Sequence, residues 1–355
     1  MNQSQTNRIE KADFSRRSFI KTSTLAGIGI ITSNSVFGSN KHQVADGRRV
    51  GIIGLDTSHA PAFTKSFNEQ NDALNLFGYK VVAAYPYGSK DIESSFSRIP
   101  GYIEEVRKMG VEIVDSISTL LKQTDVILLE TNDGRLHLEQ ALQVFKAGKT
   151  VFIDKPIAAS LADAHSIFQA AKDMKIPVFS SSSLRYDPAL KEIINNLKDD
   201  KVVGVDIFGP CSIEPTHPDF FWYGIHGIEP LVAIMGTGCQ SVSRMHTSGT
   251  DVAMGFWADN RIGTYRGIRE GKSAFGGNVF GNKSIHTWDG NGGYDPLVKE
   301  IAKFFQTKVP PVKPDETLEI FAFMEAADES KRRGGIPVSL NETRQTALAR
   351  MKKTW

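Results

Sequence analysis

From Arg49 onward short apolar runs alternate with longer amphipathic stretches, and this alternation is the pattern of βαβ units built on a parallel sheet. Residues 50–55, 80–84, 111–114, 125–129, 151–153 and 178–180 read as strands. Helices are expected over about 60–70, 118–123, 136–147 and 161–174, with Gly148 stopping the third. Beyond Tyr186 the texture changes. Strand-like segments at 202–208, 241–247, 252–256, 263–267 and 283–287 are separated by Gly, Asn and Asp turns, which predicts a mostly antiparallel sheet. Helices at 229–235, 296–305 and 316–333 complete this half, the last burying Leu318, Phe321, Phe323, Met324 and Ala327. The expected fold is α/β: a Rossmann-type doubly wound parallel sheet over 46–180, then an α+β domain with an open sheet over 181–340 and a tail over 341–355.

Residues 1–38 stand apart from both domains. Arg16 and Arg17, followed by Ser18-Phe19-Ile20-Lys21 and a modestly apolar stretch over 22–37, read as a twin-arginine export signal cleaved near Gly38. The stretch is too short and too interrupted by Thr, Ser and Gly for a membrane span of about 20 residues. Contact with the membrane is therefore expected only in passage through the export machinery, with the periplasm as destination. That route carries folded proteins and suits one that loads its cofactor beforehand.

The chain has 42 Lys plus Arg against 40 Asp plus Glu, a formal charge of +2. Its first 38 residues hold five basic and two acidic side chains, so the rest stands at −1. A near-neutral body without a clustered basic face excludes an electrostatic grip on nucleic acid. Cys211 and Cys239 are too few for a disulfide scaffold and lack metal-type spacing; two buried thiols are expected, with a bridge left open.

The first strand runs into Gly54-Leu55-Asp56-Thr57-Ser58-His59, where a dinucleotide fold puts its phosphate turn. Aligning Gly54 with the first glycine of G-x-G-x-x-G puts Asp56 at the second and His59 at the third. A carboxylate at the second position repels a pyrophosphate unless it turns away, and it has an alternative use as a helix cap. After the second strand the chain reads Tyr85-Pro86-Tyr87-Gly88-Ser89-Lys90, without the acid that meets NAD ribose hydroxyls. Ser89 and Lys90 tilt the expectation from NAD toward NADP, against the reading of a plain exposed loop.

An ordered series follows: Glu130-Thr131-Asn132 ends a strand, His137 lies on the next helix, and Asp154-Lys155-Pro156 ends the strand after it. Leu184-Arg185-Tyr186-Asp187-Pro188 and Tyr223-Gly224-Ile225-His226-Gly227-Ile228-Glu229 continue it. This series resembles the Gfo/Idh/MocA family and covers nearly all of the chain after the leader. The resemblance implies a nicotinamide lined by Thr131 and Asn132, with Gly54, Asp56, Thr57, Ser58, His59, Tyr85, His137 and Asp154 around the cofactor. It implies Lys155 as the active-site lysine, Asp154 standing where the family has glutamate, and His226 as substrate-facing acid or base with Glu229 orienting its ring. Arg185, Tyr186, Trp222 and Tyr223 would meet substrate, and Phe220 and Phe221 could join an aromatic platform or simply be core. The family's catalytic Asp, four residues before the histidine, is Trp222 here.

These residues predict hydride transfer between a sugar or polyol and a tightly held NAD or NADP. Two other readings remain: a glycosidase or lyase that oxidises its sugar transiently, and a sugar-binding protein on the same scaffold. A homo-oligomer through an exposed sheet face is expected from the same family. Asp56, His59, His217, Asp219, His226 and Glu229 have metal-ligand chemistry, but their spacing fits no zinc motif, and no metal is expected.

Overall fold

The computed structural model describes Ala45 and residues 47–69, 74–290 and 292–355. The leader expected over 1–38, and Gln70 at the expected end of the first helix, lie outside the described residues. The first half runs β1 (Arg49–Ile53), α1 (His59–Asn68), β2 (Lys80–Tyr85), α2 (Glu93–Phe96), α3 (Ile99–Lys108), β3 (Glu112–Ile113) and α4 (Ile117–Gln123). It continues through β4 (Val126–Leu129), α5 (His137–Lys146), β5 (Thr150–Ile153), α6 (Leu161–Asp173) and β6 (Val178–Phe179). These strands form one parallel sheet in the order β3-β2-β1-β4-β5-β6. The strand order reverses between β1 and β4, so a crevice opens above their carboxyl ends. β4 and β5 are buried along their whole length, as central parallel strands must be. Each such Val, Leu or Phe contributes about 1.5–3 kcal/mol through burial.

The second half adds α7 (Pro188–Asn196), β7 (Val202–Pro210), α8 (Ile225–Met235), β8 (Cys239–His246), β9 (Thr250–Trp257), β10 (Ile262–Ile268), β11 (Gly276–Gly281) and β12 (Ile285–Asp289). It closes with α9 (Asp295–Thr307), α10 (Pro314–Arg332), β13 (Val338–Ser339) and α11 (Leu340–Arg350). Seven strands align as β12-β11-β7-β10-β9-β8-β13, antiparallel except for β7 beside β10. Burial alternates residue by residue along β9, which marks a sheet with one packed face. α8 and α10 cover that face; Met245, Ile262 and Ile285 are exposed.

Two departures from the sequence reading position the site. α9 follows the second sheet in the chain yet packs Leu297, Val298, Ile301 and Phe304 into the core of the first, with Phe304 4.8 Å from Phe179. The chain therefore crosses between the sheets more than once, and the second crossing carries Tyr294 to the crevice mouth. Residues 341–350, expected in a tail, belong with Leu340 to a helix that packs on α6, α10 and β8. Its cap is legible: Ser339 accepts from the Glu342 N–H, and Leu340, Thr343 and Ala347 share the buried side.

β11, α3 and α7 were not anticipated. Gly276, Gly277 and Gly281 disguise β11, and at Gly277 a Cβ would come 2.4 Å from the Asp206 carbonyl. Pro100 and Pro188 open α3 and α7 in the first turn, where the missing N–H is harmless, and Asp187 caps α7 by accepting from the Ala189 N–H at 2.8 Å.

Candidate active site

The β1–α1 turn is closely packed. Gly54 has φ +97°, and a Cβ there would lie 2.4 Å from the Thr131 nitrogen, so glycine is required on both counts. Asp56 does not cap α1. Its carboxylate is buried, accepting from the Asn132 N–H at 3.0 Å and from the Ser95 hydroxyl, and burial raises its pKa to about 6. The charge thus points into protein rather than toward a phosphate, and Thr57, Ser58 and His59 front the crevice instead.

Behind that turn sits a second, drier group. His59 Nδ1 lies 2.7 Å from Asp154 Oδ2. Both oxygens of Glu130, Oδ1 of Asp154 and the Thr131 hydroxyl are buried without a partner. Burial, reinforced by the Asp154 charge, raises the Glu130 pKa well above the usual carboxylate range. His137 is fully buried, with Nε2 2.6 Å from the Thr131 carbonyl and Nδ1 3.2 Å from that of Ile157, so it ties the ends of β4 and β5 together. Lys155 follows Asp154 and turns its side chain into the crevice, where it has no hydrogen-bond or ion-pair partner among the described residues.

From the other domain, α8 presents His226. Its Nδ1 is 2.8 Å from Ser182 Oγ, while Glu229 accepts from the Ser182 N–H at 2.8 Å, from the Ser181 hydroxyl, and from Arg185 Nε at 2.9 Å. Glu229 therefore fixes the histidine through Ser182 rather than by touching its ring. Burial, with Lys155 and His59 nearby, holds the His226 pKa well below its ordinary value, so the imidazole is neutral through the neutral pH range. In the tautomer that donates Nδ1–H to Ser182 Oγ, Nε2 keeps the lone pair that a base needs.

Lys155 and His226 line one cleft of about 730 Å³, together with Thr57, Ser58, His59, Ser94, Arg98 and Asn132 from the first domain side. Trp222, Tyr223, Phe275 and Tyr294 supply its aromatic wall. Tyr223 stands edge-on to His226 with ring centroids 5.0 Å apart.

Of the residues singled out by sequence, the cleft brings together Thr57, Ser58, His59, Asn132, Lys155, Trp222, Tyr223 and His226. Gly54, Asp56, Thr131, His137, Asp154 and Glu229 sit behind its wall. Arg185 is spent on Glu229 and Glu316, and Tyr186 is buried beneath Lys191, so neither reaches the cleft. Phe220 and Phe221 are core, the former under the Arg244 guanidinium at 3.9 Å. The six residues with metal-ligand chemistry do not converge: His217 pairs with Asp133 at 3.1 Å, and Asp219 with Arg244 at 2.7 Å. Sequence reasoning passed over Ser182, Phe275 and Tyr294, which no motif marks, and Glu130, a carboxylate at the end of a strand that is otherwise wholly apolar.

Ser89 is not free for a phosphate. It donates to Asp133, which also holds Arg135 at 2.7 Å, and Arg135 reaches Asp91 at 2.9 Å. This chain of bonds ties the segment after β2 to the loop after β4. Burial opposes ionisation of Asp133, but its bonds from His217, Arg135 and Ser89 win and hold the pKa far below the usual range. A separate pocket of about 140 Å³, beside the stacked Tyr85 and Tyr87, shares no lining residue with the main cleft. The cysteines are free and buried, with thiol pKa values raised by burial to about 11 at Cys211 and about 12 at Cys239.

Residues 48–181 match the family model of oxidoreductases with an NAD-binding Rossmann fold, Gfo/Idh/MocA. A stretch of 138 residues, 36% of this chain, is 25% identical to an uncharacterized oxidoreductase, YhhX, of Escherichia coli (strain K12), and spans only 40% of that protein's length. A probable dehydrogenase from Thermotoga maritima superposes with a TM-score of 0.68 at 18% identity, over 83% of this chain and 99% of the other. Scyllo-inositol dehydrogenase from Lactobacillus casei, solved with NAD(H) and scyllo-inositol, gives 0.67 at 12% identity over 82% and 99%. At these identities the likeness establishes a shared two-sheet fold.

Proposed function

We propose, from the match of residues 48–181 to the Gfo/Idh/MocA oxidoreductases with an NAD-binding Rossmann fold, that the chain oxidises or reduces a carbinol carbon of a sugar or polyol. The observation that carries this reading is the meeting of Lys155 and His226, from different domains, across one cleft beside Asn132. The residues present fit a nicotinamide nucleotide at this end. Asp56 turns its charge inward, and Thr57 and Ser58 at the start of α1 with Arg98 offer donors and positive charge to phosphates. When bound, the nicotinamide supplies the acceptor for a hydride from the substrate carbon.

The chain's own residues handle the proton. The Lys155 ammonium donates to the substrate oxygen and holds it in place. Neutral His226, braced by Ser182, takes the hydroxyl proton at Nε2 during oxidation and returns it during reduction. Trp222, Tyr223, Phe275 and Tyr294 exclude water and offer apolar faces to the C–H surface of a sugar ring. Ser89 is consumed by Asp133, so of the two side chains that tilt toward NADP only the exposed Lys90 stays available. The twin-arginine motif makes the periplasm the proposed destination. Its test is a fusion of residues 1–38 to a reporter, which should be exported by the twin-arginine route and lose export when Arg16 and Arg17 become Lys.

The enzymatic reading is tested by offering cyclic polyols and hexoses with NAD or NADP and following reduced nicotinamide. Turnover by the wild type and its loss in Lys155→Met is the expected result; silence with every pair contradicts it. Trp222, standing where the family's catalytic Asp is expected, favours a second reading in which oxidation is transient within a glycosidase or lyase. Cleavage of a glycoside without net nucleotide reduction identifies that case.

A further inference from the structure

We propose that His59, Glu130 and Asp154 form a binding site for one divalent transition-metal ion beside Lys155. One ligand atom from each lies within 4.8 Å of the others. Metal–ligand bonds of about 2.0–2.2 Å separate ligands by roughly 3–4 Å, so small side-chain adjustments close the set. The three come from the β1–α1 turn and the ends of β4 and β5, which are adjacent strands of one sheet. That rigid base is where a site can hold its geometry.

An acidic cluster alone would carry little. Here Glu130 is fully buried with both oxygens lacking any donor, and Asp154 Oδ1 is in the same position. Leaving carboxylate oxygens dry and unpaired is among the costliest arrangements a protein can keep. No Lys155 contact within ion-pair distance relieves them among the described residues. His59 adds a second oddity. A dinucleotide fold keeps its third glycine for close helix–strand packing. This chain instead places an imidazole there and reaches across to Asp154. One nitrogen and two carboxylate oxygens suit Mn²⁺, Fe²⁺ or Zn²⁺ better than Ca²⁺ or Cu⁺. Three protein ligands leave coordination positions open.

The site is independent of the nicotinamide reading, and its test uses no activity. Purified full-length protein, stripped with chelator, is titrated with Mn²⁺, read by loss of the free-ion paramagnetic resonance signal, and with Zn²⁺ by calorimetry. One saturable ion per chain is expected, with a raised melting temperature. Glu130→Gln and His59→Gln should each weaken binding by about 100-fold or more, while the exposed Glu104→Gln leaves it unchanged. Circular dichroism checks that each variant is folded, and Asp154→Asn serves if one is not. Absence of saturable binding by the folded wild type, or equal binding by all variants, overturns the site.

Discussion

The molecule buries charge in two places and treats it in opposite ways. In the second domain Arg244, with no side-chain exposure, meets Asp219 and Asp251 at 2.7 Å and also Asp328, while Arg269 and Lys331 add further pairs to Asp251 and Asp219. Every carboxylate there has a cation. At the carboxyl ends of β4 and β5, Glu130 has none, and Asp154 has a single imidazole. The first arrangement gives each carboxylate a cation, with one oxygen of Asp328 buried without a partner, and serves to lock β8, β9 and α10. The second is incomplete, and incompleteness of this kind at the mouth of a parallel sheet marks a place for ligands.

The sharpest way to break this comparison is Arg244→Met. It strands three acids in a dry site and should cost about 3–5 kcal/mol, measured by urea unfolding. If the loss is no larger than that of a surface arginine, the second-domain cluster is not structural. Lys155→Met should do the reverse, lowering kcat by about 10²–10⁴-fold with little change in unfolding free energy. A comparable fall in stability would make Lys155 a packing residue.

Much of this was legible beforehand. The period of the apolar runs gave both sheets, because central strands such as 126–129 have to be continuously apolar. Lys155 and His226 were legible because strand ends and a helix with a recognisable spacing place them. Less legible was that Arg185 and Tyr186 lie away from the cleft and that Glu229 acts on His226 only through Ser182, since sequence spacing cannot reveal that Glu229 and Arg185 satisfy each other in the interior. The role of Asp56 was likewise hidden: whether its carboxylate turned inward depended on Ser95, 39 residues away, and on a backbone N–H. Glu130 carried a signal that was passed over, an acid where the rest of the strand allows only apolar side chains.

Two smaller effects sharpen the contrast. Burial pushes the Asp56 carboxyl up to about 6, above the ordinary carboxylate value. The folded state thus holds its proton longer, and stability should fall as pH rises from about 4 to 6, then level off. Asp56→Asn should flatten that slope and add about 1–3 kcal/mol at neutral pH, read from unfolding curves across the range. An unchanged pH profile would mean that Asp56 ionises freely. Ser182→Ala removes the brace on His226 Nδ1. It should lower kcat about tenfold, equivalent to one hydrogen bond, and shift the acidic limb of the rate profile. A change in KM alone would point to a substrate contact instead.

The most direct measurement is chemical. The protein is purified natively, denatured, and its supernatant examined by mass spectrometry, with the emptied and refolded chain then titrated with NAD and NADP. The account predicts a released nicotinamide nucleotide or, failing that, saturable binding that Lys155 and Asn132 variants weaken. A chain that releases none and binds neither would contradict it.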